Sequence, residues 1–82
     1  MGMTPSPIHE VFRYWRGDVV RIYNLHTGAG RTALWRVTHE PGQPPNSVME
    51  TDFATADECA TFLQEVERTL RAGGWREMPL AE

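Results

Sequence analysis

Phe53-Ala54-Thr55-Ala56-Asp57-Glu58-Cys59 is where this chain changes its period. Beyond it, Cys59, Phe62, Leu63, Val66 and Leu70 recur at spacings of 3, 1, 3 and 4, which places them on one face of a helix. Thr55 followed by Glu58 forms a capping box, and Asp57 adds a second carboxylate to the first turn, where the helix dipole favours negative charge. Arg68 and Arg71 stand near the other end, and Gly73-Gly74 supplies the stop. The pattern predicts a helix over residues 55–72, with Trp75 folded back onto the core.

Upstream of this junction the punctuation is that of short strands. Residues 11–15 and 19–25 are rich in aromatic and β-branched side chains, with Arg16-Gly17-Asp18 as a tight turn between them. His26-Thr27-Gly28-Ala29-Gly30 reads as a second turn, residues 31–39 as a third strand and residues 47–53 as a fourth. Pro41-Gly42-Gln43-Pro44-Pro45-Asn46 separates the last two, because proline cannot donate to a ladder. Strands followed by one helix make an α+β domain. The expected architecture is a three- or four-stranded antiparallel sheet, a β-meander, with the C-terminal helix packed across one face. Residues 1–7 are expected to form a flexible N-terminal tail, 8–76 the single domain and 77–82 a flexible C-terminal tail.

With 82 residues there is room for one core. A chain of this size buries roughly 60–65% of its unfolded surface, enough to fold with a modest margin. All eight basic residues are arginine. Residues 1–40 hold five of them against Glu10, Asp18 and Glu40, whereas residues 41–82 hold three against eight carboxylates. With a net charge of −3, only a local patch could attract nucleic acid. One cysteine allows no internal disulfide, and no stretch is long and apolar enough to be a membrane span, so a cytoplasmic location is expected.

Alternation along the strands sorts the side chains into two faces. Val20 and Ile22, then Ala33, Trp35 and Val37, then Met49, Thr51 and Phe53 are expected to face the helix. Phe12 and Tyr14, or instead Val11 and Trp15, would join them from the first strand. The opposite face would then carry Val19, Arg21, Tyr23 and Leu25 beside Leu34 and Arg36, with Glu50 and Asp52 on the neighbouring strand. Two roles suit such a face. It can be a solvated surface in which Arg21 and Arg36 pair with carboxylates across the sheet. Alternatively, Val19, Tyr23, Leu25 and Leu34 are apolar area awaiting a partner. Arg13, Arg16, Val19, Arg21, Tyr23, Leu34 and Arg36 are thus the candidate partner-contact surface.

Catalytic and cofactor chemistry finds little support. His9, His26 and His39 match no metal-ligand spacing. Cys59 lies on the apolar stripe beside Asp57 and Glu58, a setting that suppresses a thiolate. The glycine-bearing turn before Arg31 joins two strands and does not open a helix, so it lacks the dipole of a phosphate loop. No nucleophile–base pair is apparent, and neither catalytic residue, cofactor nor metal is expected.

The span Phe53-x-Thr55-x-x-Glu58, the apolar helix and Gly74-Trp75 resemble the closing segment of WGR-type domains, small sheet-plus-helix modules associated with nucleic-acid transactions. The same junction is similar to that of plant domains that read DNA with a three-stranded sheet. The likeness covers about the last 25 residues, the Trp-Gly-Arg triplet is absent, and no functional residue carries over. The expected function is a non-catalytic protein-interaction or accessory module using its exposed sheet face, with homodimerisation as one version. The alternative is a nucleic-acid-binding module using sheet-face arginines and aromatics, which the net acidity disfavours.

Overall fold

A computed structural model describes residues 8–28 and 30–78. Five strands and one helix follow in the order β1 (Ile8–Arg16), β2 (Val19–Gly28), β3 (Arg31–His39), β4 (Asn46–Phe53), α1 (Ala56–Ala72) and β5 (Arg76–Met78). All neighbours in the sheet are antiparallel, in the order β4-β3-β2-β1-β5. The α+β class and the meander of β1 to β4 stand as expected, and β5 is an addition to them. Glu77 and Met78, assigned above to a tail, pair with Tyr14 and Arg13. The tail expected over residues 1–7, and residues 79–82, lie outside the described residues.

The first hairpin turns through Gly17, whose φ of 59° is the left-handed conformation that a two-residue connection needs. The helix begins as its cap predicts: Thr55 Oγ1 accepts from the Glu58 amide at 3.2 Å, and Glu58 Oε2 accepts from the Ala54 amide at 3.4 Å. Its other end is a Schellman turn. The Trp75 amide donates to the Leu70 carbonyl at 2.9 Å and the Gly74 amide to the Arg71 carbonyl at 3.1 Å, with Gly74 at φ 86°. This turn sends the chain back toward β1 and seats Trp75 against the core.

Between sheet and helix lie Phe12, Tyr14, Tyr23, Leu25, Leu34 and Phe53 from the strands, Cys59 and Leu70 from the helix, and Trp75. Tyr14 and Leu34 are fully buried. The register explains the grouping, since directly opposed residues share a face: Phe12 opposes Tyr23, Leu25 opposes Leu34, and Thr32 opposes Phe53.

The expected facing of β2 and β3 is therefore inverted. Tyr23, Leu25 and Leu34 face the helix, while Val20, Ile22, Ala33, Trp35 and Val37 face away. Both sides of β2 are apolar, so alternation alone offers two equivalent solutions. On β2 side-chain volume separates them, since Tyr23 and Leu25 together are larger than Val20 and Ile22, and β3 follows through its register with β2. The buried part of the α1 stripe is built from modest residues, Leu63 and Val66 packing beside Cys59 and Leu70, while Phe62, expected on the same stripe, stands 37% exposed at its margin against Phe53. Large rings from the sheet are needed to fill a layer roughly 10 Å thick.

Two register shifts complete the arrangement. One falls between Glu10 and Phe12 in β1, and the other lies opposite Leu34 and Trp35, where Glu50 is the extra residue of β4. The first lets Val11 pack beside Phe12 and Tyr14 on the core side while Trp15 points away. Replacing Leu34 by alanine is expected to cost about 3 kcal/mol, against about 1 kcal/mol for Thr55→Ala, which removes only the cap. Urea denaturation of the two variants gives both values, and equal losses would contradict the placement of Leu34.

Candidate interaction surface

The seven candidate residues do not form one surface. Tyr23 and Leu34 belong to the core, and Val19 is half-buried against it. Arg16, Arg21 and Arg36 lie on the helix side, because they share faces with Val19, Thr38 and Tyr23 respectively. Only Arg13 lies on the uncovered face, opposite Ile22.

Each arginine is occupied by a specific neighbour. Arg13 bonds Glu10 through Nε and Nη2, the latter at 2.8 Å, and Arg36 meets Glu50 at 2.9 Å. Arg31 meets Asp52 at 2.8 Å, Arg68 meets Glu65, and Arg71 lies between Glu67 and Glu77. The expected cross-strand pairing of Arg36 is thus present, whereas Arg21 takes a different partner. Its guanidinium carbon sits 4.4 Å from the centre of the Trp75 ring, and that of Arg16 sits 4.7 Å from the same centre. Arg16 also donates through Nη1 to the Gly73 carbonyl at 3.0 Å, placing positive charge where the helix dipole is negative. Interleaved arginines and rings are here a device for closing the helix end.

The uncovered face is built in rows across the strands. Arg76, Trp15, Val20 and His39 make one row; Met78, Arg13, Ile22, Val37 and Ser47 make the next. Glu10, Asn24, Trp35 and Met49 form a third, and Ile8, His26, Ala33 and Asp52 a fourth. The centre is apolar, with Val20, Ile22, Val37 and Trp35 half-buried by their neighbours and with Trp15 and Met49 more open at 37% and 51% exposure. His26 stacks on Trp35 with ring centres 5.2 Å apart, and Arg76 lies over Trp15 at 5.9 Å. Among the described residues no second layer covers this face. Solvated faces of antiparallel sheets ordinarily carry polar residues, and this one does so at its rim but not across the centre formed by Val20, Ile22, Trp35 and Val37. The apolar signal is legible along β2 and β3, where alternation reads it as core.

Other chemistry is sparse. His9 shares the helix side with Leu25, while His26 and His39 stand three rows apart, about 20 Å. Among the described residues no three His, Cys, Asp or Glu side chains gather to hold a metal ion. Burial pushes the Cys59 thiol up. Burial also raises the Tyr14 phenol, with Glu67 and Glu77 acting in the same direction. Among the described residues no helix is long and apolar enough to cross a membrane. The chain matches no family model, no curated protein and no solved structure. Its likeness to WGR-type domains is accordingly one of local punctuation at the strand–helix junction.

Two measurements probe these assignments. Cys59 is expected to react slowly with a disulfide reagent in the native protein and rapidly once the protein is unfolded; fast native labelling would place the thiol at the surface. The hydrogen bond and charge of Arg31 hold the Asp52 carboxyl below the usual carboxylate range. A depressed carboxyl contributes stability that is present above its unfolded-state pKa and lost as pH falls through the folded value. A carboxyl-detected NMR titration should show the low midpoint, and Arg31→Gln should return it to the ordinary range.

Proposed function

We propose that this protein is a non-catalytic interaction module that self-associates through its uncovered sheet face, two copies packing face to face around a two-fold axis. The observation that carries this reading is the apolar centre formed by Val20, Ile22, Trp35 and Val37 on a face that no layer covers among the described residues. An isologous contact suits it, because the same rows serve both partners and the sheets can stack about 10 Å apart. Arg13 and Glu10 neutralise one another within the face and would enter the contact as a pair.

The size of the patch bears on strength. Five strands and four rows span about 19 by 20 Å, on the order of 400 Å² in projection on each copy. Two such faces bury on the order of 800 Å², which is at the low end for specific association. A concentration-dependent dimer follows, in preference to an obligate one. The nucleic-acid alternative draws less support, since Arg13, Arg31, Arg36, Arg68 and Arg71 all contact carboxylates. A cytoplasmic setting accords with a single buried thiol.

Sedimentation velocity over a wide concentration range tests the proposal. The protein is expected to shift from monomer to dimer, and Ile22→Lys, at the centre of the face, to remain monomeric with an unchanged circular-dichroism spectrum. A strict monomer at the highest concentration would exclude self-association and direct the face to a different protein. Binding of nucleic-acid probes at low salt that is lost in Arg16→Ala would favour the alternative.

A further inference from the structure

The helix covers only part of its own side of the sheet. Beside it, against the loop of residues 40–45, lies a cleft of about 400 Å³ lined by Arg21, Arg36, Thr38, Glu40, Gln43 and Asn46 among others. A second hollow of about 320 Å³ continues along the helix past Tyr23 and Thr69, and Arg21 and Arg36 line both.

The two guanidinium groups differ in charge balance. Arg36 is neutralised by Glu50 at 2.9 Å. Arg21 has no carboxylate within ion-pair distance among the described residues, and its neighbour is the face of Trp75. Stacking fixes the plane of a guanidinium and occupies one of its faces, but accepts none of its N–H groups, which point outward within the plane. The Nε atoms of Arg21 and Arg36 are both buried without an acceptor. Tyr23, close to Arg21, offers no negative charge, because burial raises its phenol more than Arg21 lowers it. A half-buried guanidinium lying over an aromatic ring, with the neutral Tyr23 phenol beside it, an unpaired Nε and no carboxylate within ion-pair distance among the described residues, is suited to a planar anion.

We propose that this cleft binds one carboxylate group, gripped in the plane of the Arg21 guanidinium, with the polar side chains of Thr38, Gln43 and Asn46 forming the walls. Charge selects carboxylate over phosphate. One uncompensated positive charge balances one negative charge, whereas the second charge of a phosphate would face Glu40 and Glu50. The carboxylate can belong to a small organic acid or to the free C-terminus of a peptide. The site lies on the side of the sheet opposite the proposed dimer contact, so either can fail without the other.

The test is an NMR titration of the isotope-labelled full chain that follows the backbone amides and the arginine Nε–H signals. The probes are sodium acetate, acetyl-Gly-Gly with a free or an amidated C-terminus, and inorganic phosphate, each against sodium chloride at equal ionic strength. Acetate is expected to cause saturable shifts at Arg21 Nε–H, Thr38 and Asn46, with affinity on the order of 1 mM. Phosphate is expected to bind several-fold more weakly. Arg21→Lys keeps the charge but loses the planar fork, so affinity should fall about tenfold, as it should in Arg21→Gln, while Arg76→Gln leaves it unchanged. The same spectra show whether each variant is folded. Tighter binding of the free-acid peptide than of acetate would identify a peptide C-terminus as the source, and equal binding a small acid. Shifts that match those from chloride, or that persist in folded Arg21→Lys and Arg21→Gln, would overturn the proposal.

Discussion

The ring of Trp75 is the contact through which helix and sheet hold one another. Its amide closes the last turn of α1 on the Leu70 carbonyl, and its ring receives the guanidinium groups of Arg16 and Arg21 from β1 and β2. Arg16 then returns a hydrogen bond to the Gly73 carbonyl. The helix end, the first hairpin and the strand that follows are thus joined at one residue. β5 can pair beside β1 because the Schellman turn at Gly74 delivers the chain there. Trp75 is 7% exposed although it lies in no strand or helix.

From this arrangement follows an asymmetry between the two sides of the sheet. One side is filled by rings under a helix of modest side chains, and its remaining length opens as a polar cleft around Arg21 and Arg36. The other side has an apolar centre and, among the described residues, no cover. A single helix of 17 residues cannot screen both. The net charge of −3 is distributed so that most arginines meet a carboxylate locally, leaving little long-range field to recruit polyanions. The uncovered face and the cleft around Arg21 are therefore the surfaces on which recognition is proposed.

Much of this was legible along the chain. Thr55 and Glu58, the spacing from Cys59 to Leu70 and Gly73-Gly74 mark the helix to within a residue or two of its bounds. Arg16-Gly17-Asp18 marks the first hairpin. β5 was not legible, because Arg76, Glu77 and Met78 carry no β-branched or aromatic residue and gain their conformation from pairing with Trp15, Tyr14 and Arg13. The shifts at Val11 and Glu50 have no marker in composition, and each changes which residues share a face beyond it. The candidate surface was affected most, since a reversal of facing exchanges every residue on a strand at once.

The amino-acid sequence by itself determined the elements, their order and the antiparallel class, because caps, turns and periodicity act over a few residues. It determined also that two apolar sets would stand back to back along β2 and β3. Which set would be covered was decided only in the tertiary structure, by the volume that Phe12, Tyr14 and Tyr23 bring to the layer beneath the helix and by the site where Trp75 closes. That choice depends on how side chains from separate elements fill a common space, and no stretch of a single strand contains it.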